Sequence, residues 1–429
     1  MQPDAKIPIA LRAITRWAPG CPATGPAGRS ACGDAEPHTS HGPADGALWP
    51  GGPLPDPGVR AVTLGSGSRA ARSMVLCVIG PRPLEQDIVR AAGLPYARLN
   101  VGGIHGVAPH HAAPNLLRLA LAVPRAAALM RRFRPDVVVL GGGYVCVPVA
   151  VAARALRIPV LTLCVDVVPG WAVRFTARLS TQVASAFPEA AHLLPQARVT
   201  GYPLRDEFRH ADRARGRARF GVPDDASMVL AFGGSLGARA INDAVEGALE
   251  QLLAVAHVVH ITGPVSSTQN AAGRTRTSQP TASATWAPPT AGLRPASGRL
   301  PPTAYCDRYH HCEYLDAAAM ADALAAADLA ICRAGAATMA ELPVAGTPAI
   351  LVPGEFSAQE GNARALAAHG AAHVIRNRDL TAECLAAETL ALLADKARLA
   401  TMAAACRALA HGDAADRVAA MVREVAGHA

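Results

Sequence analysis

From Met74 onward the chain alternates short apolar runs with amphipathic stretches, and the changes of pattern fall on glycine, proline or polar clusters. MVLCVIG (74–80) is an unbroken apolar run closed by glycine, the pattern of a strand buried on both faces. LEQDIVRAAG (84–93) predicts a short helix stopped by Gly93, and Asn115–Phe133 a longer one despite Pro124. DVVVLGGGYV (136–145) reads as a strand entering a glycine loop, PVAVAARALRI (148–158) as a helix and PVLTLCV (159–165) as the next strand. RFTARLSTQVASAF continues into VTGYPLR (199–205), where a first domain closes.

A second series begins near Asp225. SMVLAFGGSLGARAINDAVEGAL (227–249) predicts strand, glycine loop and helix, and HVVHITG (257–263) a strand. MADALAAAD, LAICRAG, TMAELPVAG and PAILVPG continue the alternation between 320 and 354, and NARALAAHGAAHVI and CLAAETLALLADKARLATMAAACRALA supply the closing helices. Strand–helix alternation of this kind predicts α/β domains with parallel sheets covered by helices. The expected organisation is a first domain at 74–206 and a second at 207–429. Two stretches lack any period: residues 1–73, rich in Pro, Gly, Ala, Arg and Ser, and the Ser/Thr/Pro/Ala tract 264–303. The first reads as non-globular, the second as a disordered surface insertion.

Composition narrows the function. The 429 residues carry a formal charge of +8, which favours acidic partners. No dense Lys/Arg block or aromatic interleaving supports nucleic acid, which leaves phosphorylated small molecules and anionic lipid. The 41 basic residues include only Lys6 and Lys396 as lysines, pointing to a GC-rich gene. The ten cysteines form no C-x-x-C pair and read as small buried hydrophobes of a reducing compartment. No apolar signal region opens the chain. The longest apolar stretch, Val137–Ala153, holds three glycines and Pro148, so a strand–loop–helix describes it better than a membrane span.

The sharpest candidate chemistry is Gly233-Gly234-Ser235-Leu236-Gly237-Ala238-Arg239, between a strand and a helix. Glycines let a phosphate approach the backbone, and the helix start offers free N–H groups; a tight turn without ligand is the alternative. Gly141-Gly142-Gly143-Tyr144 is a second such loop, with the same alternative. In Arg333–Glu341 a strand gives way to a helix carrying Glu341, whose carboxylate could grip a ribose through two hydroxyls or merely complement the helix dipole. Gln359 and Asn362 follow the strand Ala349–Val352 and could read sugar hydroxyls or cap the loop. Cys306, His310, His311 and Cys312 lie close in sequence but lack a standard zinc spacing, so no metal site is assigned. Asn115–Arg132 combines Leu116, Leu117, Leu119, Leu121 and Val123 with Arg118, Arg125, Arg131 and Arg132. That mixture suits an anionic bilayer surface, or an ordinary helix packed on a sheet.

In order, GGYV (142–145), VPG (168–170), TGYPLR (200–205), GGSLGARAIN (233–242), RAGAATMAEL (333–342) and NA (362–363) resemble the bacterial transferases that move N-acetylglucosamine from UDP-N-acetylglucosamine onto undecaprenyl-diphospho-N-acetylmuramoyl-pentapeptide, giving lipid II. The resemblance covers Met74 to the C-terminus apart from 264–303. It implies two Rossmann-like domains around a central cleft, an inverting hexosyl transfer in peptidoglycan synthesis without cofactor or nucleic acid, and peripheral attachment to the cytoplasmic side of the plasma membrane. It places the UDP-sugar in the C-terminal half: Gly234, Ser235 and Gly237 at the diphosphate with Arg205 nearby, the Leu315 backbone at uracil, Glu341 at the ribose, Gly335 in the same element, Gln359 toward the sugar, and Asn362 among the substrate-binding residues. The lipid-linked acceptor goes to the N-terminal half.

The chain also departs from that family. The GGTGGH loop after the family's first strand is absent, because the Met74 strand matches the second strand and residues 1–73 do not supply the first. Translation of 1–73 out of frame would give such a composition. Where the family reads HEQN, this chain reads LCVD (163–166), so Asp166 and His105 are the candidates for the base. Leu236 stands where the family has glutamine. Two alternatives stay open: a related transferase with another lipid or small-molecule acceptor, and an inactive paralogue that binds UDP-sugar without transfer.

Overall fold

The structure, a computed structural model, describes residues 12–17, 62–64, 71–81, 85–86, 89–90, 92–102, 109–234, 237–263, 307–354 and 358–427. The tract 264–303, His105 and Ser235 lie outside them.

The strands in chain order are β1 (Arg12–Trp17), β2 (Val62–Leu64), β3 (Ala71–Ile79), β4 (Tyr96–Arg98), β5 (Val137–Leu140), β6 (Val160–Cys164), β7 (Gln182–Ser185), β8 (Ala197–Val199), β9 (Ser227–Phe232), β10 (Ala256–Ile261), β11 (Tyr309–Cys312), β12 (Leu329–Cys332), β13 (Ala349–Leu351) and β14 (Ala372–Val374). They form two sheets with helices between the strands, the expected α/β class. The second sheet runs β11-β10-β9-β12-β13-β14, and every pair in it is parallel. That is the doubly wound order, with its switch point between β9 and β12. The apolar runs are buried as expected: Met228, Val229, Leu230 and Ala231, and likewise Leu329–Cys332, are fully enclosed, with one hydrophobic core on each face of the sheet.

The first sheet corrects the expectation that nothing before Met74 joins the fold. Its order is β2-β3-β1-β5-β6-β7-β8, with β4 parallel to β3. β1 lies between β3 and β5 and is antiparallel to both, and β2 is antiparallel to β3. With β3 and β5 not paired to each other, each leaves a row of backbone N–H and C=O groups that needs a partner. Arg12–Trp17 supplies one, in a direction that no periodicity in residues 1–73 announced. Among the described residues the strands β5, β6, β7 and β8 are parallel.

Two other boundaries differ from the sequence reading. Tyr309–Cys312, read only as the border of the insertion, is edge strand β11. The last helix, Ala414–Val425, leaves the second domain: Met421, Val422 and Val425 pack against Val137, Val139, Leu161, Leu163 and Ala184 of the first sheet. Its Glu424 accepts a hydrogen bond from Gln182 at 2.9 Å and pairs with Arg198 at 2.5 Å. The apolar face of this helix is completed by the first sheet, so the C-terminal end of the 207–429 unit reaches back onto the first domain. No helix among the described residues is long and apolar enough to cross a membrane.

Candidate functional site

The loop after β9 is built for close approach. Gly234 and Gly237 adopt φ of +88° and +74°, where only glycine is unstrained. A Cβ on Gly233 would strike the Ala238 backbone, and one on Gly237 the Thr262 carbonyl. The helix Arg239–Leu253 then starts at Ala238 with no side-chain cap among the described residues, and a helix start of this kind can receive an anion.

The loop after β12 lies across the switch point. It leads through Gly335 into the helix Thr338–Ala345, with Glu341 in its first turn. A Cβ on Gly335 would meet only Thr338 Oγ1, at 3.7 Å, so this glycine leaves the backbone accessible without being sterically obligatory. Leu315 follows β11 with its side chain in the core, 5 % exposed; any contact it makes with a base is through its backbone.

Asn362 joins the two domains. Fully buried at the start of the helix Gln359–Ala368, it accepts from the Val167 N–H at 2.9 Å and donates to Asp166 Oδ1 and the Ala334 carbonyl, each at 3.1 Å. Both amide hydrogens and the carbonyl are thus engaged. Three of the four hydrogen-bonding positions of the amide are taken, which leaves one lone pair of its carbonyl for the sugar-reading role expected of Asn362. Gln359 likewise turns its carbonyl to the Gly354 N–H at 2.9 Å, shaping the loop after β13. The Asn362 bonds bring the carboxyl ends of β6 and β12 together, so the carboxyl edges of the two sheets face one another across a cleft.

Asp166 stands on the first-domain side of that cleft. Burial raises its carboxyl above the ordinary aspartate range, and the Asn362 amide opposes that shift. Tyr202, in the linker between domains, was not singled out by the sequence reading. Its phenol is pushed up, first by burial, then by Glu341 and Asp166, with Arg205 opposing. One side chain therefore senses both candidate carboxylates and the candidate arginine. The signal lay in TGYPLR, where Gly201 has φ +79° and turns the chain at the domain junction. Arg205 also lies over the Phe208 ring, 5.5 Å from its centroid. In the first domain, Gly142 and Gly143 have φ of +93° and +77° and open the helix Cys146–Ala155, beside a half-exposed aromatic row of Tyr144, Trp171 and Phe175.

His310 and His311 alternate along β11. His310 stacks on His257, ring centroids 5.7 Å apart, whereas His311 faces His260 and Thr262 on the opposite side of the sheet. The sequence neighbours thus do not converge on one point.

Two family models match, the glycosyltransferase family 28 N-terminal domain over residues 72–185 and the glycosyltransferase family 28 C-terminal domain over 228–418. The chain is 36% identical over 376 residues to a UDP-N-acetylglucosamine–N-acetylmuramyl-(pentapeptide) pyrophosphoryl-undecaprenol N-acetylglucosamine transferase of Desulforudis audaxviator, covering 86% of this chain and 94% of that one. The chain belongs to glycosyltransferase family 28. A second relative within the family, the same-named transferase of Roseiflexus sp., is 36% identical over 390 residues, with 82% and 84% covered. The crystal structure of Acinetobacter baumannii MurG superposes with a TM-score of 0.60 at 26% identity, covering 81% of this chain and 90% of that one. At 16% identity and a TM-score of 0.54, the kitacinnamycin glycotransferase shares the fold alone.

Proposed function

We propose that this chain transfers N-acetylglucosamine from UDP-N-acetylglucosamine to undecaprenyl-diphospho-N-acetylmuramoyl-pentapeptide, converting lipid I to lipid II. The carrying observation is the juxtaposition at the cleft: a glycine-shaped strand end and a second strand end carrying Glu341 on one side, and a carboxylate of raised pKa on the other, bound together through Asn362.

On this reading the diphosphate lies against Gly233–Gly237 and the start of the helix Arg239–Leu253. Arg205 adds positive charge, the Leu315 backbone meets uracil, and Glu341 accepts from the ribose hydroxyls. Ser235 joins that loop on the resemblance. The acceptor hydroxyl attacks the anomeric carbon while the bond from that carbon to the diphosphate oxygen breaks. UDP leaves with the electron pair and the anomeric configuration inverts. Asp166 takes the hydroxyl proton, and its raised pKa makes it a better base than an exposed aspartate. Helix N–H groups and Arg205 stabilise the charge developing on the leaving diphosphate.

The helix Pro109–Phe133 supports attachment to the cytoplasmic face of the plasma membrane. Leu119, Ala122, Ala126 and Met130 pack into the first domain, whereas Leu116, Leu117 and Leu121 are 59, 61 and 51 % exposed, alongside Arg118 and Arg125. Apolar side chains among arginines suit an anionic bilayer surface.

The test is transfer of labelled sugar from UDP-N-acetylglucosamine to a short-chain analogue of the lipid-linked muramoyl-pentapeptide by the full chain. Transfer supports the reading. Donor binding without transfer would favour the second reading, a donor-binding protein without turnover, to which the antiparallel β1 lends weight because this strand begins, rather than ends, at the carboxyl edge of β3.

A further inference from the structure

A polar network behind the donor loop reaches it from the far edge of the second sheet. Asn242, in the first turns of the helix Arg239–Leu253, donates through Nδ2 to the Thr262 carbonyl at 3.0 Å. That carbonyl is the group against which Gly237 is packed. Asn242 Oδ1 meets His260 Nε2 at 3.2 Å, and His260 Nδ1 meets the Tyr309 hydroxyl at 3.1 Å. His260 is fully buried.

The direction of every bond follows from one fixed point. A backbone carbonyl only accepts, so the group facing Thr262 is the amide NH2 and the group facing His260 is the amide oxygen. His260 must then carry its proton on Nε2 and accept at Nδ1, which leaves Tyr309 as the donor there. Burial holds the imidazole neutral, with a pKa lowered to about 3, and pushes the Tyr309 phenol up; both keep the protons where this arrangement needs them. The chain Tyr309 to His260 to Asn242 to Thr262 therefore has a single polarity.

We infer that Tyr309, His260 and Asn242 are positioning residues for the donor site: they hold the Thr262 carbonyl, and through it Gly237, in the place that shapes the diphosphate loop. The inference rests on the assignment of that loop to the donor diphosphate. Removing the Tyr309 hydroxyl takes away the donor that anchors the imidazole and leaves the buried His260 Nδ1 without a partner. The ring is then free to shift toward a new partner for Nδ1, which loosens its Nε2–H bond to Asn242. The hold of Asn242 on the Thr262 carbonyl weakens with it, and Gly237 loses support.

The experiment compares Tyr309→Phe with the unsubstituted full chain for affinity toward UDP and toward uridine, which lacks the diphosphate, with thermal melting alongside. The expected result is UDP binding weakened by about tenfold, the cost of one buried acceptor left without its partner, uridine affinity unchanged and the protein folded. His260→Leu should weaken UDP further in the same selective way. Unchanged UDP affinity in Tyr309→Phe, or equal losses for UDP and uridine, would overturn the inference. Gly237→Ala separates the underlying assignment. If it leaves UDP affinity intact, the loop is not the diphosphate site and the inference falls with it; if it abolishes UDP binding while Tyr309→Phe does nothing, only the positioning role falls.

Discussion

In the second sheet all six strands run parallel, and the switch point delivers two strand ends, each leading into a helix and the first through a glycine-shaped loop, to the cleft. In the first sheet the corresponding central position holds β1, running the other way, with Arg12 beside Val78 at the carboxyl end of β3. A parallel strand in that place would end at the cleft and hand over to a helix N-terminus. An antiparallel one begins there and brings neither. On the first-domain side the strand–glycine loop–helix unit is therefore β5, Gly141–Gly143 and the helix Cys146–Ala155. The same sheet architecture yields an anion site only where strand direction brings a helix start to the edge.

The contrast can be broken most sharply at Asp166, the first-domain group argued to act on the acceptor. Asp166→Asn keeps an oxygen for the Asn362 amide and removes the base. Turnover should fall about 10²–10⁴-fold, with the KM for UDP-N-acetylglucosamine nearly unchanged. A loss in donor KM instead would move Asp166 to the other half's work. The pH profile gives the sign. The base must be deprotonated, so activity falls as pH drops through its raised pKa, and the acidic limb should sit above the ordinary aspartate range and vanish in Asp166→Asn.

Asn362→Ala tests the join between the regions. It leaves the buried Val167 N–H and Ala334 carbonyl without their partner, and about 2–4 kcal/mol of stability should be lost in denaturant unfolding. A change below about 0.5 kcal/mol would mean that the domains are held together elsewhere. Glu341→Gln keeps the shape of the second-domain acid but removes its charge. The donor KM should rise about tenfold, as a charge-assisted bond becomes a neutral one, with kcat much less affected; steady-state kinetics decides. The smallest effect belongs to the outer face of the first domain. Leu117→Ser should weaken co-sedimentation with anionic vesicles several-fold, in line with loss of about 1–2 kcal/mol of apolar burial, and leave binding to neutral vesicles weak in both proteins.

The amino-acid pattern alone determined the second domain well. Its apolar runs, glycine loops and helix starts are local features, and a parallel sheet needs little else to be recognised from strand–helix alternation. Glu341 and the Gly233–Gly237 loop were legible for that reason: φ > 0 and a helix start leave their mark within a few residues. Tertiary structure decided what depends on distant partners. β1 is a strand only because β3 and β5 leave backbone groups to satisfy. The helix Ala414–Val425 belongs to the first sheet because Val137, Leu161 and Leu163 complete its apolar face. Asn362 became a tie between domains because Val167, 195 residues away, offers it an N–H at 2.9 Å. A side chain's type and spacing state what it can bond to; which partner it meets is settled by the packing that buries both, since a buried polar group without a partner costs more than the bond itself contributes.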